Sequence, residues 1–337
     1  MRVLFATNRQ HQPAAAGGIP DFTDTCTALD PANFFCATAT VEGVDLVDPN
    51  GGRITAISAG NTGSFADEDL QPILDSNKHI LVFVHGAANS LTDGITRAAY
   101  NQNWLARATL QNASADFDII AFSWPARAYF FADILGDYVN YRHDQDQARG
   151  SAYHFGLLLR SLYELRQRIG RRRLNLLCHS MGNYVLGGAV EQWFSNTAVP
   201  LVPVFDEVIL AAADEVSTSF ATPNNGRLAN LWRLGHEVTI YNNRDDVMMK
   251  LSHLANRDYR LGYDGPANEA DTHFFSPNVY EFVDCTGVND YVIGPPDRSH
   301  QYYRSSPTVR ADIAAALAGL TPKRKNYDAA ENVYTLF

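Results

Sequence analysis

Residues 174–184 read LNLLCHSMGNY, an apolar run that leads at once into a turn of small and polar residues. The run predicts a buried strand and the residues after the turn predict a helix, with Ser180 between them. In the G-x-S-x-G pattern this turn is sharp, and it lifts the serine hydroxyl above the end of the sheet. The flanking positions must be small, and here they are Cys178 and Gly182. The stretch therefore predicts a nucleophile elbow built on Ser180.

Further apolar runs of strand length lie on both sides of the elbow. The predicted strands of the core are 79–84, 118–122, 173–177, 207–211, 237–241 and 279–283. Helical patterns separate them, as where Leu158, Leu162, Leu165 and Ile169 recur on one helical face. A last helix is predicted from Ser306-Pro307 to Leu320, with serine as the N-cap. This alternation predicts an α/β fold whose mostly parallel sheet carries helices on both faces.

The chain of 337 residues has no linker that would divide it, so we predict one domain over 1–337. Within it, 1–70 is expected to form N-terminal strands, including a β-hairpin of 36–47 and 53–58 around a turn cluster. The core is expected over 78–320. The segment 124–146 is a candidate lid or pocket segment.

Composition excludes several classes of function. The net charge of −10 disfavours nucleic acid, which binds basic surfaces. No run approaches the 18 apolar residues of a membrane span, and the apolar run at the N-terminus is too short for a signal peptide. A soluble cytoplasmic protein is therefore expected. The four cysteines form no C-x-x-C, and neither metal motifs nor nucleotide-binding glycine patterns occur. We therefore predict no metal and no cofactor. The oligomeric state is left open.

The strand 79–84 ends in His85-Gly86, and the loop after this strand is expected to face the elbow. In serine hydrolases of this layout, that loop supplies one backbone N–H of the oxyanion hole and the residue after the serine supplies the other. The predicted donors are Ala87 and Met181. His85 is expected to organise the loop and to take no part in catalysis.

A hydrolytic serine needs a base and an acid, which follow it in this fold in the order serine, acid, histidine. The acid candidates after later strands are Asp214, Asp245 and Asp246. His300 lies between the last strand and the final helix, where the base is expected. His253 and His273 are its rivals.

These motifs together resemble a family of bacterial α/β-hydrolases of unknown function within the esterase/lipase superfamily. The resemblance implies an α/β-hydrolase fold and carboxylester hydrolysis. The family has an acid followed by any residue and two apolar ones, which matches 246–249 and favours Asp246, whereas Asp214 matches a structural position. Cys178 departs from the family pattern. The segments that carry the resemblance are 5–9, 83–86, 89–90, 122–125, 179–183, 212–214, 260–262 and 299–302.

Aromatic residues crowd the segment after the strand 118–122, at the end of the sheet where ligands usually bind. Trp124, Tyr129 and Phe130 are predicted walls of a substrate pocket, and Phe274 is a fourth from a later loop. Acidic residues interleaved at 133, 137 and 144 predict a partly exposed loop or lid.

The leading prediction is a serine hydrolase that cleaves a small-molecule ester through Ser180, His300 and Asp246. A thioesterase, lactonase or amidase would use the same three residues, because the pocket and not the triad selects the leaving group. A peptidase is neither supported nor excluded. A non-catalytic binding protein of the same fold is the alternative from a different class, since folds do not fix function.

Overall fold

The computed structural model describes residues 1–12, 19, 21–26, 30–111, 113–127, 134–195, 203–221, 226–294, 297–322, 324 and 326–337. The strands are β1 (Arg2–Thr7), β2 (Arg9–Gln12), β3 (Asp21–Cys26), β4 (Phe35–Glu42), β5 (Arg53–Ile57), β6 (Asn61–Thr62), β7 (His79–Val84), β8 (Phe117–Ser123), β9 (Leu174–His179), β10 (Phe205–Ala211), β11 (Gly235–Asn242), β12 (Tyr280–Asp284), β13 (Asn326–Asp328) and β14 (Val333–Thr335). The α-helices are α1 (Asp67–Leu74), α2 (Leu91–Leu105), α3 (Ile134–Arg168), α4 (Gly182–Ser195), α5 (Val247–Asn256), α6 (Leu261–Asp264) and α7 (Pro307–Leu317). Short 3₁₀ helices lie at Pro31–Asn33, Leu231–Arg233, Asp297–Ser299 and Tyr302–Arg304.

One large sheet runs through the described part of the chain, in the order β13-β14-β12-β11-β10-β9-β7-β8-β1-β4-β5, with β6 beside β4. The seven neighbouring strands in the centre of this order, β12-β11-β10-β9-β7-β8-β1, pair in parallel. β4, β5 and β13 pair antiparallel at the edges. The six predicted core strands are β7 to β12. The prediction of a mostly parallel sheet is confirmed.

Side chains of the central strands alternate between two apolar cores, one on each face of the sheet. In β7, Ile80, Val82 and Val84 belong to the core under α3 and α4, whereas Leu81 and Phe83 belong to the core under α2 and α7. A parallel strand covered on both faces must be apolar at every position, so the sequence reads as an unbroken apolar run. Full burial of one such side chain contributes about 1.5–3 kcal/mol.

The predicted N-terminal hairpin is formed by β4 and β5, which pair antiparallel at the edge of the sheet. β4 ends at Glu42, earlier than predicted, because Gly43 adopts a φ of +68° that turns the chain. α7 begins as predicted, with the Ser306 hydroxyl accepting the Val309 N–H. It ends at Leu317 and not at Leu320, because Gly319 adopts a φ of +71°.

Candidate active site

Ser180 stands at the sharp turn between β9 and α4, at the carboxyl end of the central strand. Its φ is +52°, a conformation that costs a residue with a side chain about 1–3 kcal/mol. Neighbouring backbone holds it there: the Ser180 N–H donates to Ala211 O at 3.0 Å, and the Asp214 N–H donates to Ser180 O at 3.1 Å. The elbow is thus tied to the end of β10. Strain at a turn that the fold enforces is typical of a functional position.

Two glycines allow the elbow and the loop after β7 to approach each other. A Cβ on Gly182 would lie 2.6 Å from His85 O and 2.7 Å from Val84 O, which are backbone atoms that cannot move aside. A Cβ on Gly86 would lie 2.7 Å from Ser180 Cβ. The loop backbone therefore packs directly against Ser180. Cys178 is fully buried at the end of β9, where the site accommodates its small side chain.

His300 and Asp246 meet in a buried hydrogen bond of 2.8 Å between His300 Nδ1 and Asp246 Oδ2. Asp246 has no exposed surface, and it is the N-cap of α5. Its other oxygen, Oδ1, accepts the Met249 N–H at 3.0 Å. Because the positive end of the helix dipole faces this carboxylate, the helix stabilises its negative charge. The carboxylate is therefore suited to orient an imidazole and to balance its charge.

His179 places His300 beside the elbow, because His179 is the chain neighbour of Ser180. The rings of His179 and His300 lie 4.6 Å apart, and His179 Nε2 is 3.1 Å from His300 O. Burial, with the nearby His300 as a second cause, holds the pKa of His179 well below its usual value. His179 is therefore neutral and donates its Nε2–H to the carbonyl. It fixes the His300 backbone and leaves the His300 ring to Asp246.

Tyr302, two residues after His300, holds the His300 loop through hydrogen bonds of its hydroxyl. Its hydroxyl donates to Tyr241 O at 2.8 Å and accepts the Ala212 N–H at 2.7 Å. One buried phenol thus ties the His300 loop to the carboxyl ends of β10 and β11.

The rival acids have other surroundings. Asp245 is exposed, one residue from Asp246. Asp214 is buried, but Arg260, Ser252 and Tyr141 all donate to its carboxylate. Of the three acid candidates, the structure brings Asp246 to His300, while Asp214 is occupied by its own partners.

The rival bases have other partners or face solvent. His253 Nδ1 is 3.1 Å from Asp258 O, and its ring packs against Tyr259. His273 is exposed.

Of the two predicted oxyanion donors, Met181 follows Ser180 in the chain, and Ala87 lies in the loop after β7 that packs against Ser180. Within the described residues, neither the Ala87 N–H nor the Met181 N–H has a hydrogen-bond acceptor. Met181 directly precedes α4, so the positive end of that helix dipole faces the same space. Two unpaired backbone donors at a helix N-terminus can stabilise an anion.

The predicted pocket residues are placed differently from expectation. Trp124 is fully buried, its Nε1–H donates to His85 O at 2.7 Å, and its ring stacks on the His85 ring at 5.3 Å. Trp124 therefore packs against the start of the loop after β7 and does not form the predicted pocket wall. Tyr129 and Phe130 lie outside the described residues.

Phe274 lies at the other end of the sheet. It packs against Phe275 at 4.7 Å, and Phe275 packs against Tyr280 at 5.2 Å. Tyr280 is the first residue of β12, whereas Ser180 lies beyond the last residue of its strand. The structure thus separates Phe274 from the elbow.

A partly exposed loop or lid was predicted around the acids at 133, 137 and 144. Residues 128–133 lie outside the described residues, and from Ile134 onward the chain is a helix. α3 runs without a break from Ile134 to Arg168, and Asp144 on it is fully buried. Asp144 accepts the N–H groups of Ala88 and Arg127, both at 2.9 Å. Burial raises the pKa of Asp144. Acidic residues in the sequence suggested an exposed segment. Asp144 is buried because its carboxylate accepts backbone N–H groups from other parts of the chain.

Several residues around the loop after β7 escaped prediction as site residues. Arg9 is buried and its Nη2 donates to Asn89 O at 2.7 Å and to Trp124 O at 2.6 Å. Asn89 and Asp144 bind the backbone of the loop itself. Arg9 and Asn89 stand in segments that carry the family resemblance, and that was the available signal. Nothing local marks Asp144.

A mostly parallel sheet with a strained serine elbow at the end of its central strand defines the class of α/β hydrolases. Residues 65–318 match the profile of one family, described as alpha/beta hydrolase of unknown function (DUF900). The chain belongs to this family, and the expected α/β-hydrolase fold is confirmed.

The solved structures that this chain matches share little sequence with it. The product of gene lin2722 from Listeria innocua is 13% identical, with a TM-score of 0.38, over 77% of this chain and 99% of that one. Phospholipase PlaB from Legionella pneumophila, in complex with thio-NAD, is 15% identical, with a TM-score of 0.24, over 63% and 38%. Polyneuridine aldehyde esterase is 14% identical, with a TM-score of 0.23, over 72% and 88%. A search of curated proteins found no match.

In the described part of the chain, none of the helices combines the length and apolar character needed to cross a bilayer. Within the same residues, no three histidine, cysteine or acidic side chains gather as ligands of one metal ion would.

Proposed function

We propose that the chain is a serine hydrolase that cleaves carboxylic esters of small molecules through an acyl-enzyme. The observation that carries this proposal is the buried His300–Asp246 hydrogen bond of 2.8 Å, held next to the elbow of Ser180 by His179. A histidine whose Nδ1–H is bound by a carboxylate presents Nε2 as the proton acceptor, which is what a serine nucleophile requires.

In the proposed reaction, His300 Nε2 takes the proton of the Ser180 hydroxyl as its oxygen attacks the acyl carbonyl. Asp246 keeps His300 in the required tautomer and stabilises the imidazolium. The alcohol leaves with the proton from His300, and a new C–O bond joins the acyl group to Ser180. Water then attacks this ester with His300 again as base, releasing the acid and restoring Ser180.

The negative charge that develops on the carbonyl oxygen needs donors that are already oriented. Ala87 N–H and Met181 N–H are the proposed donors, and their lack of other acceptors supports this role. Loss of one such donor typically costs about 2.7–4 kcal/mol in the activation barrier. Backbone donors carry no side-chain entropy, so the site is organised before substrate arrives.

The test is labelling with a fluorophosphonate probe, followed by intact mass and peptide mapping, on wild type and on Ser180→Ala. We expect one adduct per wild-type chain, on the peptide that contains Ser180, and none on the variant. p-Nitrophenyl esters of increasing acyl length then report turnover. Failure of well-folded wild type to react with the probe and with every ester would contradict the proposal and favour the non-catalytic binding protein.

A further inference from the structure

The loop after β7 is held by side chains that neither bind substrate nor belong to the proposed triad. Its centre is Ala87, whose N–H is the proposed oxyanion donor. Two peptide units meet at this residue, one from Gly86 to Ala87 and one from Ala87 to Ala88. Their orientation decides where the Ala87 N–H points.

The Asn89 side chain binds the carbonyl of both peptide units. Its Nδ2 donates to Gly86 O at 3.0 Å and to Ala87 O at 2.6 Å. Its Oδ1 accepts from Arg97, and because a guanidinium only donates, this contact fixes which end of the amide faces the loop. Only 1% of Asn89 is exposed, so water does not replace these bonds.

The geometry of the peptide unit connects these bonds to the Ala87 N–H. A trans peptide is planar, so the Gly86 C=O and the Ala87 N–H point in opposite directions. His85 Nδ1 also lies 2.8 Å from Gly86 O, which gives this carbonyl a second donor. With its carbonyl held on one side by Asn89, the unit presents its N–H to the other side.

The second peptide unit is fixed at both ends. Asn89 binds its oxygen, on Ala87, and Asp144 accepts its N–H, on Ala88, at 2.9 Å. Ala88 has a φ of +56°, which a residue with a side chain adopts only under constraint. The loop would relax from this conformation if its side-chain bonds were removed.

We propose that Asn89 is a positioning residue of the active site: it holds both peptide units that flank Ala87 and thereby keeps the Ala87 N–H aimed at the oxyanion. This inference rests on the proposed serine hydrolase function. Asn89 touches no reacting atom. Its contribution appears in the transition state, where the carbonyl oxygen carries charge, and not in the binding of the neutral ester.

Asn175 offers a matched control. It is a fully buried asparagine in β9 whose Nδ2 donates to a backbone carbonyl, Leu317 O, at 3.0 Å. It stands at the second residue of its strand, near the amino end of the sheet and away from Ser180. Replacing either asparagine by alanine removes a buried amide, but only Asn89 holds the loop.

The experiment compares wild type, Asn89→Ala, Asn89→Asp and Asn175→Ala. Asn89→Asp keeps the shape of the side chain and the acceptor for Arg97 but loses both N–H donors, so it serves where Asn89→Ala fails to fold. Each protein is assayed with p-nitrophenyl butyrate for kcat and KM, with an alkyl trifluoromethyl ketone for inhibition, and by urea unfolding. The ketone adds to the serine and places a charged oxygen in the oxyanion hole, so its affinity reports on the donors.

We expect Asn89→Ala and Asn89→Asp to lower kcat by at least about tenfold, up to the roughly 10²–10³-fold of a lost donor, with KM little changed. Affinity for the ketone falls by a similar factor. Asn175→Ala loses stability but keeps kcat and ketone affinity. If the Asn89 variants behave as Asn175→Ala does, or change KM alone, the positioning role is wrong while the serine hydrolase stands. If the wild type neither turns over esters nor reacts with fluorophosphonate, both proposals fall.

Discussion

The loops after β10 and β11 each place a buried carboxylate at the same edge of the sheet, yet the two carboxylates have different partners. Asp214, after β10, is 2% exposed, and Asp246, after β11, is not exposed at all. Asp214 accepts from Arg260, Ser252 and Tyr141. Asp246 accepts one backbone N–H, and its second oxygen meets His300.

The difference indicates that burial beside the candidate site does not by itself make a carboxylate available to a histidine. Asp214 is neutralised by a permanent cation, so its charge serves to join β10 to the segment before α6. The negative charge of Asp246 faces a helix N-terminus, which carries only a partial positive charge. The carboxylate can therefore still stabilise a transient positive charge on the His300 imidazole. Only the second arrangement suits the proposed mechanism, in which His300 is protonated once in each half-reaction.

The largest effect is expected from Asp246→Asn. An amide in place of the carboxylate donates towards His300 Nδ1 and favours the wrong tautomer, so kcat should fall about 10⁴-fold. Stability should change by less than about 1 kcal/mol, because asparagine is as good an N-cap as aspartate. Ester kinetics and urea unfolding on the same preparation test both parts. A variant that keeps more than a tenth of the wild-type kcat would remove Asp246 from the mechanism.

Asp214→Asn should show the reverse pattern. It leaves the Arg260 guanidinium buried without its counter-charge, which typically costs about 3–5 kcal/mol of unfolding free energy. The folded fraction should keep a kcat close to wild type, since the bond from the Asp214 N–H to Ser180 O is made by backbone. Adding Arg260→Met should restore part of the stability, because removing both charges also removes the unpaired one. A folded Asp214→Asn protein without activity would contradict the comparison.

The sequence predicted the sheet well because each buried parallel strand must be apolar on both faces. The elbow and the turns at strand ends leave local marks, so the sequence also offered Ser180, Asp246 and His300 as candidates, and the structure brings Asp246 to His300. Of the predicted pocket residues in the described part of the chain, Trp124 and Phe274 do not line the elbow. Aromatic character alone does not tell which side of a loop a ring occupies, and Trp124 turned beneath the loop to meet His85.

Partners that are distant in the chain explain what else was missed. Asp144 resembles a surface residue among other acids, yet it binds backbone amides of Ala88 and Arg127, 56 and 17 residues away. Asp214 finds Arg260 46 residues later. No short window of sequence contains Asp144 together with Ala88, or Asp214 together with Arg260, so only the fold reveals these pairs.

The smallest effect is expected at Asp245, which precedes Asp246 in the chain but differs from it in solvent exposure. Asp245 is exposed at the turn, while Asp246 is enclosed with His300. Asp245→Asn removes one surface charge, and such substitutions usually change stability by less than about 0.5 kcal/mol. We expect unchanged kcat and an unchanged urea midpoint. Because the two substitutions are chemically the same and one residue apart, they separate proximity to the site from contact with the histidine. An inactive Asp245→Asn beside an active Asp246→Asn would move the acid by one position and reverse the assignment.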